Sequence, residues 1–204
     1  AAQGYLDMAK STRDPRLAKR ATEIANYARL PSLALEASRL WYDTDKANPQ
    51  ARQALVSALL TNNKLQEAKP LLQAMLSADG DVAHGFLQLQ SLLGKAGDKA
   101  AVLNITRELA KSYPQMPEAH FAVAQAAFVA GKYDLANTEA AEAMRLRPDW
   151  ELGALLQAQM IQQRDSPAKA AEYLEGFLAA HPKARDVRAN YARLLIGSKK
   201  LKEA

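Results

Sequence analysis

The sequence predicts an all-α fold, a solenoid of antiparallel helix pairs repeating every 34 residues, and three observations predict it. Pro114, Pro148 and Pro182 fall 34 residues apart. The same step in a second register gives Asn63, Gly97, Gly131 and Asp165, residue types that tolerate a left-handed backbone or cap a following helix. In a third register it gives Ala34, Ala68, Val102, Ala136, Ala170 and Ala204, a small residue each time. A period of this length marks a stacked array of one supersecondary unit.

Taken in order, residues 2–12 read as one short helix, ended by "RDPR" at 13–16. Helix pairs then begin near 15, 49, 83, 117, 151 and 185, with second helices near 32, 65, 99, 133, 167 and 200. The apolar spacing between the markers is helical: Ala119, Val123, Ala126 and Ala127 precede Gly131, and Leu135, Ala136, Ala140, Ala143 and Met144 follow it. Gly80, Pro114, Pro148 and Pro182 stop the second helix of each pair. One pair cannot cover its own apolar face, so the units near 15–48, 49–82, 83–116, 117–150 and 151–184 stack in a line with partial units at 1–14 and 185–204. The expectation is one solenoid over 1–204, cut from something longer because Ala204 falls inside a helix. The recurring alanine has a steric reason: two helices cross closely only where one presents a methyl group or less.

Composition supports a packed core, with 49% apolar and 24% charged residues. No apolar run reaches the roughly 18–20 residues that span a bilayer, and the start, "AAQGYLDMAKSTRD", has no basic-then-apolar leader. The net charge of +5 is a modest excess spread along the chain, and only 6% of residues are aromatic, so no nucleic acid is expected as a partner. Zero cysteines excludes disulfides, thiolate chemistry and thiolate-bound zinc.

At 117–150 the residues Ala124, Gly131, Tyr133, Ala136, Ala143 and Pro148 form a small–Gly–aromatic–Ala–Ala–Pro pattern, and the chain thereby resembles the tetratricopeptide repeat (TPR) family over nearly its whole length. His120 stands where the family carries a Trp, and the unit at 15–48 keeps Ala34 but places its proline late, at Pro49. The resemblance implies a right-handed superhelix whose concave surface is lined by the first helices, and a non-enzymatic scaffold that binds protein or peptide partners. The stretch Arg13–Trp41 also resembles the amino-terminal region of large exported TPR proteins of Gram-negative bacteria, some of them lipoproteins that act as adaptors for an envelope protease. That implies a periplasmic or outer-membrane-associated location, with the cytoplasm as the alternative, and an envelope protease among the partners.

No catalytic constellation is written in the chain. His84, His120 and His181 occupy different repeat positions without metal-ligand spacing. "SADGDV" (77–82) is too short a ladder of oxygens for an EF-hand, and "LGKAGD" (93–98) is neither of the phosphate-binding glycine motifs, so both read as turns. No metal and no cofactor is expected. Asp134, Glu139 and Glu142 read as solvated charge, as do the clusters Arg13, Arg16, Lys19, Arg20 and Lys199, Lys200, Lys202. Trp41 and Trp150 sit at repeat junctions and read as gap fillers.

The inward positions of the first helices carry the functional expectation. One column runs Glu23, Ser57, Ser91, Gln125, Gln159 and Arg193, a second Lys19, Gln53, Leu87, Phe121, Leu155 and Ala189, a third Asn26, Leu60, Gly94, Phe128, Gln162 and Ile196. Together they predict amide and hydroxyl groups beside apolar pockets centred on Phe121 and Phe128, a surface for an extended or helical peptide. Gln53, Ser57, Leu87, Ser91, Phe121, Gln125, Phe128, Leu155, Gln159 and Gln162 are its expected contact residues, with Phe121 and Gln125 open to solvent. The TPR clamps that hold a peptide's terminal carboxylate use Lys, Asn and Arg at inner positions, and Ser57, Ser91, Gln125 and Gln159 disfavour that mode. The alternative to peptide docking is self-association through open solenoid ends.

Overall fold

The structure, a computed structural model, describes residues 1–78, 80–94 and 96–197. Helices account for all its regular secondary structure among the described residues. They are α1 (Ala2–Thr12), α2 (Pro15–Tyr27), α3 (Pro31–Thr44), α4 (Pro49–Thr61), α5 (Leu65–Ala78), α6 (Val82–Leu93), α7 (Lys99–Ala110), α8 (Pro117–Val129), α9 (Tyr133–Leu146), α10 (Glu151–Arg164), α11 (Pro167–Ala180) and α12 (Arg185–Gly197). The fold is all-α and of solenoid type, and the helix starts follow the 34-residue frame. The helix expected near 200, Ala204 and the cluster Lys199, Lys200 and Lys202 lie outside the described residues.

Local chemistry explains the starts. Pro15, Pro31, Pro49, Pro117 and Pro167 open helices, where a missing N–H costs nothing and the fixed φ is already helical. Asp14, Asn48 and Ser166 accept bonds from the free amides of Arg16, Gln50 and Lys169. The turns within pairs are less uniform than their shared register suggests. Asn63 (φ 55°) and Gly131 (φ 71°) take the left-handed conformation, but Asp165 (φ −113°) does not and pairs with Arg164 instead. The Gly97 N–H donates to Asn63 Oδ1 at 3.3 Å, tying one turn to the next repeat's.

The helices group into two compact units, Ala1–Ile105 and one that starts at Thr106, the division falling inside α7. In the first, α1 packs on α2 and α3, each successive helix from α2 to α6 packs on the one before, and α4 also meets α6. Around α1 to α3 its core is rich in alanine, with Ala18, Ala21, Ala25, Ala34 and Ala37 all buried, and Trp41 closes over Ala9, Ala18 and Ala51 as the gap filler its position predicts. In the second unit α8 to α12 stack in order, and the first helices α8, α10 and α12 are neighbours. Ala154, Ala158, Ala170, Leu174, Phe177, Ala184 and Val187 form one core cluster there. A Cβ on Gly153 would stand 2.7 Å from Met144 Sδ and 3.0 Å from the Trp150 ring, so glycine sets how closely α10 lies against α9.

The in-register residues Ala34, Ala68, Val102, Ala136 and Ala170 are all buried. Ala136→Leu is expected to destabilise the chain by about 1–3 kcal/mol, because three added carbons have no space to occupy. Chemical denaturation checks it against Ala141→Leu, an exposed site on the same helix that should change stability little.

Candidate functional site

In the second unit α10 runs between α8 and α12 and supplies the floor of a cleft. Leu152, Leu155, Gln159 and Gln162 recur at intervals of three and four, so they form one stripe along this helix. From α8 come Phe121 and Gln125, one turn apart, and from α12 Asn190 and Leu194, also one turn apart. These side chains, with Leu156 and Ala158, enclose a cleft of about 320 Å³. Five of the residues singled out by their columns therefore meet at one place: Phe121, Gln125, Leu155, Gln159 and Gln162. Gln159 and Gln162 are exposed, while Gln125 and Leu155 are half-buried.

A relative of this chain is a TPR repeat-containing protein of Pseudomonas aeruginosa, 28% identical over 192 residues. The match covers 94% of this chain and 32% of the relative, so the chain spans about a third of that protein's length. A solved structure of the C-terminal part of a TPR repeat-containing protein from Cytophaga hutchinsonii superposes with a TM-score of 0.50 at 17% identity, covering 96% of this chain and 78% of that one. The fold is of the tetratricopeptide repeat type. A TPR protein of Thermus thermophilus is also similar in structure, with a TM-score of 0.49, 15% identity, and coverage of 90% of this chain and 100% of that one. No family model matches the sequence. TPR proteins are in general non-enzymatic scaffolds for protein or peptide partners.

One expectation for this surface needs correction. Phe121 is not open to solvent: it is 6% exposed, and the Trp150 ring covers it at a centroid distance of 4.9 Å and a tilt of 48°. It forms the buried end of the cleft instead of an exposed anchor. The apolar lining of this cleft accordingly runs from Phe121 along the leucines of α10, and Phe128 is not part of it. Phe128 is half-buried at the α8–α9 turn, where it meets Tyr133 edge-on at 5.6 Å. The remaining expected contact residues lie in the other unit: Gln53 and Ser57 on α4, exposed and half-buried, and Leu87 and Ser91 on α6, half-buried and exposed.

Behind the cleft lies a network that no sequence column announces. Glu118, its side chain 4% exposed, pairs with Arg147 at 2.5 Å. The Arg147 guanidinium stands 4.9 Å from the centre of the Trp150 ring, which in turn lies on Phe121. The chain of contacts runs from a buried carboxylate to the cleft wall. One repeat away from Glu118 stand His84 and Leu152, and one repeat away from Arg147 stand Tyr113 and His181, so the pair does not recur and periodicity cannot reveal it. Glu151 does a different job, its carboxylate accepting the backbone N–H groups of Asp186 at 3.0 Å and Val187 at 3.4 Å and so capping α12 from the neighbouring repeat.

Glu139 corrects a charge expectation. It is not simply solvated, for it lies 2.6 Å from His120 Nδ1, both side chains being about one-fifth exposed. The other ring nitrogen faces the Pro114 carbonyl at 3.0 Å, so both partners are acceptors and the ring donates to each when it carries two protons. Burial opposes a charge on His120, but the Pro114 carbonyl, the bond to Glu139 and the charges of Glu139 and Glu142 outweigh it, raising its pKa above the ordinary value of 6.5. The native state then holds this proton more tightly than the unfolded chain. Its contribution to stability is complete below the ordinary histidine range and is lost as pH rises through the folded value. Denaturation midpoints of the chain should therefore fall between about pH 6 and about pH 8 by more than those of His120→Gln, with the His120 ring signals titrating above the usual histidine midpoint.

The basic cluster at the amino-terminal end is largely engaged. Arg16 pairs with Asp14 at 2.7 Å, Arg20 with Glu23 at 3.1 Å, and Lys19 lies 5.7 Å from the centre of the Trp41 ring. Among the described residues no three His, Asp or Glu side chains converge as a cation site, and no helix is long and apolar enough to cross a membrane.

Proposed function

We propose that this TPR chain is a non-catalytic adaptor that docks a segment of a protein partner in the cleft between α8, α10 and α12. One observation carries the reading. The cleft sets Gln125, Gln159, Gln162 and Asn190 around the leucines of α10 and α12, which is the mixture of orienting polar groups and apolar lining that a peptide site needs. Gln53, Ser57, Leu87 and Ser91 supply further contacts of the same kind within the first unit. The resemblance of Arg13–Trp41 to exported TPR proteins supports a place in a Gram-negative envelope, as an adaptor that presents substrates or itself to an envelope protease. Fractionation of the whole protein from its host tests that placement, and recovery in the cytoplasm would refute it.

A photo-crosslinking residue in place of Gln159, compared with one in place of Ala141 on α9, tests the docking reading in cells. Adducts to a discrete partner formed from position 159 and absent from position 141 support it. Equal adducts from both positions contradict it, and adducts between two copies of the chain would make the cleft a self-association surface.

A further inference from the structure

We infer that the cleft between α8, α10 and α12 selects an internal, uncharged stretch of extended polypeptide, and rejects chain termini and charged motifs. The inference rests on the docking reading above and concerns what is docked. None of the ten side chains that line the cleft is ionisable. A carboxylate or an ammonium group entering it would leave water without meeting an opposite charge, which is disfavoured however well its shape fits.

The polar groups present are carboxamides, and each combines two donors with an acceptor. That is the complement of a peptide backbone, which offers an N–H and a C=O at nearly every residue. Among the described residues the side chains of Gln125, Gln159 and Gln162 have no hydrogen-bond partner within the protein, so a ligand can take them without breaking an internal bond. Asn190 donates to the Asp186 carbonyl at 3.0 Å and is held in place on α12. The spacing suits a chain that crosses the helices. Packed helix axes lie about 8–10 Å apart and an extended strand advances about 3.3 Å per residue, so a segment passing over α8, α10 and α12 meets one carboxamide roughly every third residue. Between these contacts Leu152, Leu155 and Leu194 leave room for an aliphatic side chain against the buried face of Phe121.

The probe is a library of random linear peptides displayed in two formats, one flanked on both sides by fixed Gly–Ser sequence and one ending in a free carboxylate, selected against the whole chain. Internal-format selection should yield binders with an aliphatic anchor. Amidating the terminus of a synthetic binder should leave Kd unchanged, Asp or Lys at the anchor should weaken it about tenfold or more, and Gln159→Ala or Gln162→Ala should weaken it about three- to tenfold. Both glutamines are exposed, so these variants are expected to fold, and Leu152→Ser offers a third exposed probe. Binders that map to Gln159 but require a free carboxylate or a charged anchor overturn this inference and leave the docking reading standing. Binders indifferent to all three substitutions, or no binders in either format, overturn both.

Discussion

Phe121→Ala is expected to lower the stability of the chain by about 3–5 kcal/mol, the usual range for truncating a buried phenylalanine. Its ring is covered by Trp150 on one side and forms the floor end of the cleft on the other, so removal opens a cavity between two repeats. Loss of partner binding by this variant would report unfolding as much as lost contact. Phe121→Leu, which keeps most of the volume, should cost much less, and urea titrations of both variants beside the parent separate the cavity effect from any other. A near-parental midpoint for Phe121→Ala would mean that Trp150 collapses into the space or that the ring is not packed as described.

The second large effect belongs to Arg147. Arg147→Met removes the counter-charge of a carboxylate that is 4% exposed, and stranding a buried charge costs about 3–5 kcal/mol in general. Because the guanidinium itself is 39% exposed, water softens the loss, and roughly 2–3 kcal/mol is the expectation here. The double variant Glu118→Leu with Arg147→Met should recover much of it, since no charge is then left in the interior. Trp150 loses its stacking partner in both variants, so the quenching of its fluorescence should change equally in each while stability does not. If the double variant is as unstable as Arg147→Met, the pair matters through packing and not through charge.

These contacts show where sequence was informative and where it was not. Helix starts were legible because they are local: a proline at the first turn or an Asp, Asn or Ser cap acts within three residues, and the 34-residue step repeats the signal. The buried column of Ala34, Ala68, Val102, Ala136 and Ala170 was legible for the same reason, since each unit must solve the same close crossing. The facing of Gln125, Leu155, Gln159 and Gln162 followed from helical period plus repeat register, and these residues do meet in one cleft. The burial of Phe121 did not follow, because it depends on Trp150 reaching back from the next junction. Glu118 and Arg147 were invisible for a related reason, as a pair formed once in the array leaves no periodic trace. His120 and Glu139 lie on facing helices of one pair, and their contact depends on a side-chain geometry that spacing alone does not specify. Asp165 shows the converse, a repeat position kept in sequence while its backbone solves the turn differently.

The most direct measurement of the docking claim is an NMR titration of the side-chain amide signals of Gln125, Gln159, Gln162 and Asn190 with the partner segment identified by crosslinking at position 159. The account predicts that these four pairs of signals shift together and saturate with one Kd, while the Asn137 side chain on α9 stays where it is. Shifts confined to Asn137 and its neighbours, with the four cleft amides unmoved at saturation, would contradict it.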